Sequence, residues 1–254
     1  MMRPPVLRPN RLPKKPIKPY IRPDKRENKS MTIVTGFRCS DGLIIAADQQ
    51  ISAMGAFKYN ERKIFEETQQ WWSMTLAYSG LPSLAKEAWE KITKIARQLD
   101  SSVDNEKLQD VLDDVLTGMG RQYTEMELQL LIALTAGFED SELLKFDGKG
   151  LHRADNFNFL GVGDSSLIRF LCHTLYSPAM DTQIGANLAI YLIHKAETHI
   201  DHCGGPINTI ILTSTGYKEL SASDIESRIK LMEEREKLLP EMIIQASSSS
   251  PISP

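Results

Sequence analysis

Residues 32–39 alternate apolar and polar positions, the period of a half-buried strand. Asp41-Gly42 supplies a tight turn, and Leu43 to Ala47 then run continuously apolar into Asp48, as expected of a strand buried on both faces. Lys63 follows fifteen residues after Asp48 and opens a further apolar stretch, Lys63-Ile64-Phe65. Residues 71–79 (WWSMTLAYS) predict another strand, ending at Gly80. Leu84, Ala88, Ile92, Ile95, Ala96 and Leu99 then fall at helical spacing. Leu108, Val111, Leu112, Val115, Leu116 and Met119 repeat that spacing after an Asp100–Asn105 linker, so two amphipathic helices are expected.

Strand patterns return at 128–137, 141–146, 150–154 and 157–161, broken at Glu139-Asp140 and Asp147-Gly148. Helices are expected over 164–177 and 181–200, divided at Ser177-Pro178. The chain closes with a strand over 207–213, a Thr215-Gly216 turn, a short strand, and a helix capped at Ser223 with Glu226 three residues on. Strands and helices thus come in separate blocks, and no internal repeat is evident. That order points to an α+β layered fold, with antiparallel sheets packed together and helix pairs outside them.

Composition narrows the class. Hydrophobic residues make 41% of the chain and charged residues 25%, the balance of an ordinary globular domain. No apolar run approaches the roughly 20 residues of a membrane helix, and the basic N-terminus lacks the apolar segment of a secretory signal. Cys39, Cys172 and Cys203 lie far apart and suggest no disulfide framework, so a reducing cytoplasm is the expected location.

Charge is uneven. Residues 1–30 carry ten Lys/Arg against two Asp/Glu, while the remainder carries twenty against thirty-one. The first segment also holds Pro4, Pro5, Pro9, Pro13, Pro16, Pro19 and Pro23 and few large aliphatics, so it cannot offset the entropy of folding and is expected to be disordered. A basic arm suits phosphate contacts, but it lacks aromatic interleaving or a recognition fold, which argues against nucleic acid. The alternatives are a propeptide and an internal start at Met31. Trimming of that methionine would leave Thr32 first, because threonine is small.

Thr32, Asp48 and Lys63 are the candidate chemistry. A threonine hydroxyl is a weak nucleophile until a base takes its proton, and the residue's own α-amine serves when it is N-terminal. A strand-starting threonine beside an interstrand Lys–Asp ion pair is the structural alternative.

These residues resemble the β-type subunits of the proteasome family, within the N-terminal-nucleophile (Ntn) hydrolases. The matching motifs are Thr32, Asp41-Gly42, Ala46-Ala47-Asp48 and Lys63-Ile64, with no gap from Thr32 to Asp48. Later landmarks are Gly161-Val162-Gly163, Gly204-Gly205 and Asp224-Ile225-Glu226-Ser227-Arg228. The resemblance implies a four-layer αββα sandwich over 32–240, flanked by the 1–31 extension and a disordered 241–254 tail. Ser30-Met31 departs from the glycine that usually precedes the nucleophile in family propeptides, which favours the internal start.

The resemblance assigns Thr32 as nucleophile and Lys63 as the ammonium beside its hydroxyl, with Asp48 holding Lys63. Gly80 would offer its backbone N–H to the oxyanion, or serve only as the turn before the helix. Asp201 and Cys203 stand near the family's supporting aspartate and serine, and Val162 replaces another serine. A valine cannot donate a hydrogen bond and a thiol does so weakly, which bears on efficiency. No cofactor is implied.

The expected activity is peptide-bond hydrolysis, on peptides or unfolded protein, inside a homo-oligomeric ring. A catalytically silent subunit of such a ring and an amidase acting on small molecules are the alternatives. Ile51 is a candidate pocket residue, Met54-Gly55 a loop, and Trp71-Trp72 one buried and one surface residue. His194, His199, His202 and Cys203 cluster in sequence but match no standard zinc spacing, so no metal is expected.

Overall fold

The computed structural model describes residues 32–53, 57–123, 127–136, 141–154, 156–161, 166–200 and 203–242. The 1–31 arm, Met54-Gly55, Val162, Asp201, His202 and the chain from 243 lie outside the described residues.

Two five-stranded antiparallel sheets form the centre. The first contains β1 (Ile33–Cys39), β2 (Gly42–Asp48), β10 (Phe157–Gly161), β11 (Ile207–Thr213) and β12 (Gly216–Glu219), in the order β10-β1-β2-β11-β12. The second runs β5-β6-β7-β8-β9, from β5 (Ile64–Thr68), β6 (Trp72–Gly80), β7 (Leu128–Ala136), β8 (Glu142–Phe146) and β9 (Leu151–Arg153). A small hairpin, β3 (Gln50–Ala53) with β4 (Phe57–Asn60), pairs Gln50 with Asn60 and Ile51 with Tyr59. The sequence pattern assigned only loop there. Both strands do alternate, Gln50-Ile51-Ser52-Ala53 and Phe57-Lys58-Tyr59-Asn60, but each is at the four-residue lower limit of such a signal.

Period two explains how each sheet is covered on both faces. In β1 and β2, Ile33, Phe37, Ile44 and Ala46 join one cluster with α4 (Thr182–His199), while Val34, Leu43, Ile45 and Ala47 face the other sheet. In β6 the same alternation sends Met74, Leu76 and Tyr78 toward α1 (Pro82–Ala96) and α2 (Asn105–Gly120), and Ala77 toward the first sheet. Each fully buried large side chain contributes about 1.5–3 kcal/mol. Phe37 is one of them, packed against Phe157, Phe159 and Tyr176. Truncation to alanine there would cost about 3–5 kcal/mol.

Helix ends follow local chemistry. Pro82 starts α1 where its missing N–H costs nothing, and Asp104 caps α2 by accepting from Lys107 N. Asp181 caps α4 through Ile184 N. The final helix, α5 (Ala222–Glu236), is capped by Ser221, whose hydroxyl accepts from Asp224 N at 3.1 Å. This corrects the expectation of Ser223 with Glu226: two capping frames lie two residues apart, and the helix takes the first, with Ile225 buried near its start. Between Ser166 and Leu175 runs α3, shorter than the expected 164–177, part of which lies outside the described residues. A helical turn over 239–242 runs two residues past the boundary expected for the tail. Trp72 is buried and Trp71 is 39% exposed, as expected of neighbours on a strand.

Candidate active site

The site lies where the ends of β1 and β2 meet the segment before β5. Thr32, immediately ahead of β1, is only 5% exposed, and Asp48 and Lys63 are fully buried. Antiparallel pairing of β1 with β2 sets Val34 opposite Ala47, so the start of one strand lies beside the carboxylate that ends the other. Ile33 N donates to Asp48 Oδ1 at 3.0 Å. Lys63 reaches the same point from the second sheet.

Lys63 Nζ donates to Thr32 Oγ1 at 3.0 Å, to Asp48 Oδ1 at 2.8 Å and to the Gln50 carbonyl at 2.6 Å. Three acceptors match the three N–H bonds of an ammonium; a neutral amine has only two to give. Asp48 is in turn held by Lys63, by Ile33 N, and by Gly204 N, which donates to Oδ2 at 3.2 Å.

Burial pushes Lys63 below the ordinary lysine value, against the pull of Asp48, and pushes Asp48 above the ordinary carboxylate value, against Lys63 and the two backbone donors. The lysine therefore holds its proton less tightly than an exposed one would. An ammonium touching Oγ1 favours any negative charge that develops on that oxygen.

Two glycines shape the surroundings. Gly161, opposite Ile33 in the β1–β10 pairing, has φ +63°, and a Cβ there would fall 2.0 Å from the Thr32 carbonyl oxygen and 3.2 Å from Ser79 Oγ. The end of β6 thus passes beside Thr32. Gly80 ends that strand with φ +118°, where a Cβ would fall 2.2 Å from the Glu127 carbonyl oxygen. The turn requirement at Gly80 is met in the structure whatever its backbone N–H does in a reaction.

Cys203 is buried, and its thiol donates to the Ile200 carbonyl at 3.3 Å. Burial pushes that thiol up to about 11. The expected partner Asp201 and the substituted Val162 lie outside the described residues. Ile51 sits in β3, three residues beyond Asp48 and next to Gln50. Of the described histidines in that cluster, neither meets Cys203: His194 pairs with Glu233 on α5 at 3.0 Å and His199 is exposed, while His202 lies outside the described residues. Among the described residues, no group of three or more metal-ligating side chains is found.

Sequence reasoning brought Thr32, Asp48 and Lys63 together but missed what holds them, namely the Gln50 carbonyl and the Ile33 and Gly204 amides. Backbone groups carry no residue signature. Only the Gly204-Gly205 pair gave a hint, since Gly204 and Gly205 adopt φ +149° and +84°.

The chain matches the family model described as proteasome subunit over residues 28–210. No curated protein matches it. Among solved structures, it is similar to an Anbu (Gly-1) mutant from Hyphomicrobium sp. strain MC1, with TM-score 0.71 and 17% identity over 88% of this chain and 99% of that one. Anbu (ancestral beta-subunit) from Yersinia bercovieri gives TM-score 0.68 and 12% identity over 87% of this chain and 99% of that one. The helical assembly of the Anbu complex from Pseudomonas aeruginosa gives 0.67 and 13% over 87% and 98%.

Proposed function

Because the chain belongs to the proteasome subunit family, we propose that it is a threonine peptidase whose nucleophile is Thr32 Oγ1, exposed as an N-terminal residue after loss of residues 1–31. The observation that carries this reading is the 3.0 Å contact of Lys63 Nζ with Thr32 Oγ1, made by a buried lysine that Asp48 holds. The threonine's α-amine takes the Oγ1 proton as the oxygen attacks a peptide carbonyl carbon. It then passes that proton to the leaving amine as the C–N bond breaks, which leaves an ester on Thr32 that water hydrolyses.

Lys63 stabilises charge on Oγ1 and disfavours a protonated α-amine beside it. The Gly80 N–H receives the oxyanion, a contribution of about 3 kcal/mol in acyl transfer. Cys203 supports the α-amine only weakly, since its thiol already donates to the Ile200 carbonyl. No cofactor enters this chemistry.

We read the layering as a four-layer αββα sandwich over 32–240, with α1 and α2 outside one sheet, α3, α4 and α5 outside the other and a core between the sheets; the separate side-chain clusters on the two faces of each sheet support that reading. The similar Anbu from Pseudomonas aeruginosa forms a helical assembly, and by analogy this chain acts as a homo-oligomer, ring or helix, on peptides or unfolded protein. A cytoplasmic setting accords with three free cysteines.

A second reading, a catalytically silent subunit of the same assembly, is favoured by one observation: Cys203 stands where a serine would support the amine. Mass spectrometry of protein from its native cell, with peptide hydrolysis by wild type and Thr32→Ala, separates the two. A chain beginning at Thr32 and activity lost in Thr32→Ala support the peptidase. A chain that retains residues 1–31 and hydrolyses nothing supports the silent subunit.

A further inference from the structure

Lys63 is moored to the second sheet and works on the first. Its carbonyl accepts from Tyr78 N on β6 at 3.2 Å, while its ammonium reaches Thr32 and Asp48 at the ends of β1 and β2. The 3.0 Å and 2.8 Å contacts of that ammonium therefore depend on how one sheet is registered over the other. Apolar side chains between the sheets, among them Leu43, Ile45, Ile64 and Leu131, hold the two together. Their burial is non-directional and fixes lateral register less sharply than hydrogen bonds do.

A polar brace lies directly beside Lys63. Arg62 Nη2 donates to Glu66 Oε1 on β5 at 2.7 Å and to Glu219 Oε2 on β12 at 3.0 Å. Glu219 Oε1 accepts from Nδ2 of Asn208 on β11. Period two places both acids and Asn208 on the faces that the sheets turn to each other. Glu66 stands two residues from Ile64, Asn208 stands two from Ile210, and Glu219 pairs with Ile210; Ile64 and Ile210 both lie in the core between the sheets. At the other end of β12, Gly216 packs against β5, where a Cβ would fall 3.4 Å from Thr68 Oγ1. The edges β12 and β5 thus meet at both ends, and Glu219 is the tie nearer the site.

Asn208 identifies Glu219 as the hub. Asn208 is 3% exposed, its Oδ1 is sealed without a partner among the described residues, and its Nδ2 is committed to Glu219. A carboxylate only accepts, which fixes the amide in that orientation. Asn208 also follows Ile207, the residue that pairs with Asp48. Glu219 therefore joins the residue before Lys63 to the residue after the strand partner of Asp48.

We propose that Glu219 is a positioning residue for Lys63: by accepting from Arg62 and Asn208 together, it registers the two sheets so that the Lys63 ammonium meets Thr32 Oγ1 and Asp48. The effect on hydrolysis rests on the Thr32 peptidase reading; the effect on the ammonium does not. Glu67 supplies the control. It lies beside Glu66 on β5, pairs with Met74 on the face turned to α1, and accepts from Arg97 in an ion pair of the same kind away from the site.

Peptide hydrolysis by protein expressed in its native cell compares wild type, Glu219→Ala, Arg62→Met, their double variant and Glu67→Ala. Misplacing a reacting group by about 1 Å costs up to about a hundredfold, so Glu219→Ala should lower kcat about fivefold to fiftyfold and leave KM within about twofold. Arg62→Met should do the same, and the double variant should lose no more than the worse single, because both act through one contact. Glu67→Ala should keep the wild-type kcat. In the full chain, the proton–nitrogen NMR signal of the Lys63 ammonium reads the geometry directly. Its exchange with water should quicken about tenfold or more in Glu219→Ala and keep its wild-type rate in Glu67→Ala.

Equal kcat in Glu219→Ala and Glu67→Ala, multiplied losses in the double variant, or an unchanged ammonium exchange rate in Glu219→Ala overturns the proposal. If wild type hydrolyses nothing, the peptidase reading fails and the ammonium exchange alone decides. Should Glu219→Ala not fold, Arg62→Met supplies both readings from an exposed position.

Discussion

Replacing Lys63 by methionine removes a charge and keeps most of the volume. The ammonium is fully buried and serves three acceptors, Thr32 Oγ1, Asp48 Oδ1 and the Gln50 carbonyl. Its loss leaves Asp48 buried with only the Ile33 and Gly204 amides. Breaking a buried ion pair from one side costs about 3–5 kcal/mol, which for a domain of this size lowers Tm by roughly 6–20 °C. Asp48→Asn keeps one oxygen acceptor for a backbone amide but removes the charge, and its own cost has the same origin. Combined with Lys63→Met it leaves no unpaired charge, so the double variant should recover about 2–3 kcal/mol relative to the sum of the singles. Denaturant unfolding of the four proteins measures that coupling. Singles within about 1 kcal/mol of wild type with strictly additive effects would refute a buried ion pair at this position.

Three further outcomes follow from particular contacts. Gly80→Ala places a Cβ 2.2 Å from the Glu127 carbonyl oxygen at φ +118°, so it should destabilise by more than the roughly 1–3 kcal/mol of backbone strain alone, read as a loss of Tm. Glu67 is held below its ordinary 4.5 by two hydrogen bonds from Arg97. Its contribution is present above 4.5 and lost as pH falls through the depressed value, so Glu67→Gln should flatten the acid side of the stability curve, by about 1 kcal/mol or less because Arg97 is exposed. Ser221→Ala removes the cap of a helix with one buried residue, so it should cost about 1 kcal/mol, with hydrogen exchange quickening over 222–236.

The first sheet and the site were largely legible before any coordinates. The alternation of residues 32–39 and the apolar run into Asp48 mark adjacent strands, and Lys63 stands out as a lysine directly ahead of an apolar stretch. The β3–β4 hairpin was not read, because its alternation spans only four residues per strand, the lower limit of the signal. Ser221 and Ser223 offer equivalent caps in sequence, and the structure uses Ser221. The approach of Gly204 N to Asp48, from the segment that follows α4, was likewise hidden. Long-range backbone contacts of that kind leave no trace in residue type.

The account is tested most directly by mass mapping of native protein treated with a peptide epoxyketone, a probe that closes a ring through both the hydroxyl and the α-amine of an N-terminal threonine. Modification confined to a peptide beginning at Thr32, and lost in Lys63→Met, is the predicted result. A chain with a free Thr32 terminus and an intact Lys63 that takes up no probe would contradict the claim that this lysine readies this oxygen for attack.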